Sequence, residues 1–116
     1  MKYMALIYTD PTAEPQHGTP EWDQMMQGYG QATEQFHADG VYVSGDPLQG
    51  VETATSVRVR DGQTETMDGP FAETKEHLVG FYIFDVADLD AALKYAAMIP
   101  GAQYGTVEVR PIMDFG

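Results

Sequence analysis

His77-Leu78-Val79-Gly80-Phe81-Tyr82-Ile83-Phe84-Asp85-Val86 is the most hydrophobic extended stretch of the chain, and it decides the fold. Successive side chains of a strand point to opposite faces. Phe81 and Ile83 therefore face one way, and Tyr82, Phe84 and Val86 the other. Residues 2–9 repeat the pattern, with Tyr3, Ala5 and Ile7 opposed to Met4, Leu6 and Tyr8. Strands that are apolar on both faces are normally covered on both.

Two helices are available as cover. Thr19-Pro20-Glu21 starts the first, with Thr19 as cap and Pro20 at the first helical position. Trp22, Met25, Met26, Tyr29, Ala32 or Thr33, and Phe36 then form one apolar stripe, and Gly40 stops it. Gly28 and Gly30 each cost roughly 1 kcal/mol relative to Ala inside a helix. They predict a close packing contact or a kink. Asp88 caps the second helix, Leu89 to about Met98, with Leu89, Ala92, Leu93 and Ala96 inward, and Pro100-Gly101 ends it.

Between the helices, Val41-Tyr42-Val43 reads as a short strand running into a Ser44-Gly45-Asp46-Pro47 turn. Residues 55–60 and 64–67, joined through Asp61-Gly62, read as a β-hairpin at a sheet edge. Thr106-Val107-Glu108-Val109-Arg110-Pro111-Ile112 closes the chain as the last strand. The order is β-α-β, a hairpin, then β-α-β: a ferredoxin-like α+β protomer in one domain, residues 1–116. Right-handed crossovers place both helices on one side of the sheet. The other side is expected to meet a second copy, giving a homodimer through the sheet face, with room for an apolar ligand in the gap.

Composition narrows the function. The net charge is -12, from 18 acids against six bases, and those bases are scattered. Nucleic-acid binding, which draws its affinity from clustered Lys and Arg, is not expected. Attraction to an anionic membrane is disfavoured on the same grounds. The absence of cysteine excludes disulfides, thiolate metal sites and Cys nucleophiles. His17, His37 and His77 are too far apart to pair as helical ligands, so no metal is expected. No dinucleotide or phosphate-loop fingerprint appears, so no cofactor is expected either. No run suits a signal peptide or a membrane span, which points to the cytoplasm.

The densest polar stretch is Asp68-Gly69-Pro70-Phe71-Ala72-Glu73-Thr74-Lys75-Glu76, just ahead of the long strand. Together with Gly80-Phe81-Tyr82 it resembles the signature of the YCII-related (DGPF) domain family. The opening strand ending in Tyr8, Ser44-Gly45-Asp46-Pro47-Leu48, Asp88-Leu89-Asp90-Ala91-Ala92 and Val107-Glu108-Val109-Arg110-Pro111 agree with it across nearly the whole chain. The resemblance implies a dimeric α+β barrel with a small-molecule site. It also suggests a regulatory setting, often beside an extracytoplasmic-function sigma factor, with an interaction module as the alternative to a binding protein or enzyme. The founding group of the family carries a His near the start of the first helix, paired with an Asp as a proposed catalytic dyad. Here that turn reads Trp22-Asp23-Gln24-Met25-Met26, without a His, so the dyad does not carry over.

Lys75, between Glu73 and Glu76, is the leading candidate for chemistry: a paired, partly desolvated ammonium that orients a carboxylate or moves a proton. The competing reading is an ordinary ion pair that pins the loop. Asp46 with Ser44, at the end of the second strand, either shares a pocket with Glu73 and Lys75 or sits in a solvated turn. Asp68 is a general base or, more simply, a turn-forming side chain. Phe71 is expected to dock the loop on the core and to touch ligand secondarily, with Glu76 beside it. Tyr8, if buried, needs a partner for its phenol and lines the same cleft or bonds to backbone. The expected site is thus a void beneath the 68–76 loop, ringed by Tyr8, Asp46, Glu73 and Lys75.

Overall fold

In a computed structural model that describes residues 1–116, β1 (Lys2–Thr9) and β5 (His77–Asp85) run antiparallel at the centre of the main sheet. β2 (Tyr42–Pro47) pairs with the outer side of β5, and β6 (Gly105–Pro111) with the outer side of β1. The order β2-β5-β1-β6 is the ferredoxin-like arrangement expected from the strand pattern. Helices α1 (Pro20–Ala38), α2 (Leu89–Ala96) and the short α3 (Gly101–Tyr104) accompany it.

The two faces separate as the alternation requires. Tyr3, Ala5 and Ile7 of β1 and Tyr82 and Phe84 of β5 are buried in one core with Ala32, Phe36, Ala92 and Ile99. Phe36 is fully buried, and its ring meets those of Tyr82, Phe84 and Tyr95 edge-on at centroid distances of 5.2, 4.8 and 5.9 Å. That geometry is favoured by the aromatic quadrupole. On the opposite face Met4, Leu6, Phe81 and Ile83 stay half-exposed, bordered on β6 by Thr106, Glu108 and Arg110. The molecule is accordingly flat, 48 × 45 × 18 Å.

α1 begins as its sequence dictates. Thr19 Oγ1 accepts from the Trp22 amide at 3.2 Å, Pro20 follows, and Glu21 and Asp23 complement the helix dipole. His37 occupies the last turn, its ring 4.1 Å from that of Tyr42, and Gly40 leaves the helix at φ +70°. The two helical glycines differ. A Cβ on Gly28 would lie 3.1 Å from Pro100 Cγ, so this glycine marks a close approach, while Gly30 faces open space.

Four expectations need correction. β2 runs on through Ser44-Gly45-Asp46-Pro47, because Gly45 serves a close approach and not a turn. A Cβ there would meet Tyr82 Cδ1 at 2.7 Å, and Leu48 still donates to the Val79 carbonyl at 2.8 Å. The hairpin of β3 (Thr55–Arg60) and β4 (Gln63–Asp68) forms its own two-stranded sheet, turned at Asp61 and Gly62 with positive φ, and does not extend the main one. α2 is shorter than its pattern suggests and buries only Ala92 and Ala96 deeply. Leu89 and Leu93 are each 47% exposed, since the small residues seat the helix and the leucines flank it. Phe71 does not dock on the core: it is 77% exposed, with the Arg58 guanidinium 5.8 Å above its ring.

Because Phe36 joins α1 to β5 and α2 at one point, Phe36→Ala is expected to cost about 3–5 kcal/mol. Urea denaturation would register this as a lowered midpoint at unchanged slope, and Phe36→Leu should lose distinctly less.

Candidate functional site

β1, the N-terminal half of α1, the β2–β5 edge and the 47–52 segment enclose a cavity of about 650 Å³ on the helix-bearing side of the sheet. Trp22, Met25, Tyr29 and Thr33 reach it from α1. Their spacing, which identifies one helical face, also identifies the face turned toward this space. Ile7 and Thr9 supply the β1 wall, and Tyr42, Tyr82 and His77 close it from the neighbouring strands. Met26 and Leu48, nearly half exposed, mark its opening to solvent.

Thr9 is the anomaly of this lining. It is 2% exposed, and its Oγ1 has no hydrogen-bond partner. Its methyl lies toward Gly101, where a Cβ would be 3.5 Å from Thr9 Cγ2. Leaving a hydroxyl buried and unpaired costs about 1–3 kcal/mol, so a fold that retains one here carries a cost its packing does not explain.

The other polar groups form a short relay. Thr33 Oγ1 lies 2.8 Å from the Tyr29 carbonyl and 2.7 Å from Tyr82 Oη. A threonine hydroxyl has one proton, and the carbonyl can only accept it. Tyr82 must therefore donate to Thr33, which leaves its oxygen lone pairs available. Burial pushes the Tyr29 phenol up to about 12, reinforced by nearby Tyr82 and opposed by a hydrogen bond from the Gly101 amide. Burial raises Tyr82 as well, against the lowering effect of Thr33. Both phenols are neutral hydrogen-bonding groups at physiological pH and supply no base.

The residues expected to gather beneath the 68–76 loop are dispersed. Asp46 borders the large cavity. Tyr8 and Glu76 line a shallow groove with Thr74, Thr106 and Glu108, and Glu73 and Lys75 line neither. Lys75 is 86% exposed, and its Nζ lies 3.8 Å from Asp10, not against Glu73 or Glu76. Hydrogen bonds from the Thr12 hydroxyl and amide hold the Asp10 carboxyl below the usual carboxylate range, helped by Lys75. Ser44 sits half-buried opposite Ile83, and Asp68 is exposed. The Asp68-Gly69-Pro70 turn is tied through backbone: Gly69 donates to Ala54 at 2.7 Å and Ser56 Oγ donates to the Gly69 carbonyl at 2.9 Å.

Thr9, Trp22, Tyr29, Thr33, His77 and Tyr82 were not singled out as a site by the sequence. The available signals were slight: a threonine at a buried position of an apolar strand, and another within the apolar stripe of α1.

The raised Tyr29 pKa has a measurable consequence. The folded state holds this proton more tightly than the unfolded chain, whose phenol titrates near 10.0. Its contribution to stability is full below that pH and is lost as pH rises toward about 12. The thermal midpoint should fall more steeply over this window in the wild type than in Tyr29→Phe.

Comparison with known proteins accords with this architecture. A chain of the 5-chloro-2-hydroxyhydroquinone dehydrochlorinase from Burkholderia phenoliruptrix AC1100, solved with 2,5-dihydroxybenzoquinone, superposes with a TM-score of 0.53 at 11% identity, covering 97% of this chain and 94% of that one. This likeness establishes shared fold. An uncharacterized protein of Rhizobium meliloti (strain 1021) is 35% identical over 114 residues, covering 97% of this chain and 92% of its own length. The family model of the YCII-related domain matches residues 1–116, and the chain belongs to that family.

Proposed function

We propose that this protein binds a small organic molecule of one or two rings in the cavity beneath α1. The observation that carries the reading is the cavity itself, a space of about 650 Å³ walled by Trp22, Met25, Tyr29 and Tyr82. That size falls within the range of ordinary ligand pockets, roughly 300–1,000 Å³. Aromatic side chains supply flat apolar walls, and the Tyr82 phenol, held by Thr33, supplies a fixed polar contact, the usual composition of such sites. The Burkholderia neighbour, solved with a one-ring quinone, supports a ring-sized ligand for this architecture. Lys75 is assigned to holding the loop through Asp10, next to the Thr9 end of β1.

The protein acts as a homodimer through the bare sheet face. Support comes from the flatness of the protomer and from Met4, Leu6, Phe81 and Ile83, which lie half-exposed while Tyr3, Ala5, Tyr82 and Phe84 on the opposite face are buried. Its radius of gyration is 16.0 Å, against about 13 Å for a compact domain of this length.

Tyr82→Phe tests the site because it keeps the ring and removes the hydroxyl. The free protein is expected to lose about 1 kcal/mol of stability with the Thr33 hydrogen bond. In a thermal-shift screen of ring-bearing metabolites, a ligand at a hundred times its Kd should stabilise the wild type by about 2.7 kcal/mol. It should stabilise Lys75→Ala equally and Tyr82→Phe less. Loss of the effect in Lys75→Ala alone would move the site to the loop, and silence across the screen would favour a non-catalytic interaction module. Sedimentation at micromolar concentration tests the assembly: a single subunit, in place of the expected dimer, rejects it.

A further inference from the structure

We propose that the ligand of the cavity beneath α1 is an organic cation, a protonated amine carried on an aromatic frame. This rests on the small-molecule reading above and adds the sign of the charge. None of the six Lys and Arg residues lines the cavity, whereas Glu14, Asp46 and Glu52 do. The imidazole of His77 is the one basic side chain in the wall. An anionic ligand would meet Glu14 and Glu52, with Asp46 at the open end, and no guanidinium or ammonium to oppose them, in a molecule of net charge -12.

Charge at the rim is joined by two independent features. Trp22, Tyr29, Tyr42 and Tyr82 bring aromatic rings to the same space, and such rings attract a cation placed over their faces. One phenol of the wall is also set to accept. Tyr82 spends its proton on Thr33 and keeps its lone pairs. An ammonium brings only donors. It can donate to the Tyr82 oxygen, which has no proton left to offer a carboxylate.

Asp46 and Phe81 pair with each other across β2 and β5, on the sheet face away from α1. They border the cavity where it rounds the edge strand β2, so a carboxylate and a ring meet at its open end.

Three indoles of one shape and different charge decide the matter by isothermal titration: tryptamine, tryptophol and indole-3-acetate. Tryptamine is expected to bind the wild type about tenfold more tightly than tryptophol, with indole-3-acetate weakest. The combined variant Glu14→Gln, Asp46→Asn, Glu52→Gln should bring tryptamine toward the tryptophol value and leave tryptophol unchanged. Raising salt should narrow the same gap, because exposed carboxylates are screened. Equal affinity for tryptamine and tryptophol, or a preference for indole-3-acetate, overturns the cation assignment and leaves the small-molecule reading standing. No binding of any of the three to the wild type overturns both. The ranking on the wild type decides alone should the variant fail to fold.

Discussion

The packing of α1 on β5 through Phe36 is the contact on which the rest depends. That ring fills the C-terminal half of the interface completely, wedged among Tyr82, Phe84 and Tyr95. One helical turn earlier Ala32 is also buried, so helix and sheet are drawn close there. Toward the N-terminus the spacing is set by other means. Gly28 meets the Pro100 ring, and Tyr29 reaches Gly101, where a Cβ would lie 2.8 Å from the phenol oxygen. A rigid helix fixed at one end and propped at the other leaves a gap between its first turns and the strands, and the cavity is that gap.

The same arrangement explains why its polar groups are only partly satisfied. Thr33 sits one residue beyond Ala32, near enough to β5 for its hydroxyl to serve both the Tyr29 carbonyl and Tyr82. Thr9 lies at the far end of β1, where no helical side chain comes within hydrogen-bonding reach. Buried hydroxyls are paired in the great majority of cases. Thr9 is the exception at the end of β1, while Thr33 on the facing helix is fully engaged.

The fold was legible in the sequence because it rests on period. Tyr3, Ala5 and Ile7 against Met4, Leu6 and Tyr8 gave the sheet its two faces, and Thr19-Pro20 with Gly40 bounded α1 closely. Errors arose where one residue type serves two purposes. Gly45 reads as a turn, yet it lets β2 lie against Tyr82. Phe71 reads as an anchor because it is large and apolar, yet it lies under Arg58 at the surface. The site was less legible for a physical reason. Trp22, Met25 and Tyr29 have the same helical spacing whether they fill a core or line a void, and spacing carries no information on how far the helix stands from the sheet. The 68–76 motif drew attention by its charge density, but alternating charges on an exposed loop pair with whatever lies nearby, here Asp10.

The two open features of the protomer are not independent. Phe81 belongs both to the bare sheet face and to the border of the cavity, and Asp46 pairs with it across the strands. A subunit seated on that face would exclude water from one side of Phe81 while a ligand contacts the other. Each event then changes the surface available to the other, and any resulting coupling must be reciprocal: whatever factor dimerisation contributes to ligand affinity, ligand contributes to dimerisation. β2 is the strand that borders both. It is the edge strand of the sheet, held to β5 on one side only, and its approach depends on the missing side chains of Gly45 and Gly80, the latter with room for no Cβ against the Asp46 carbonyl at 2.9 Å. A close backbone contact of that kind passes small displacements directly, so the glycines that let the sheet form also join its two faces.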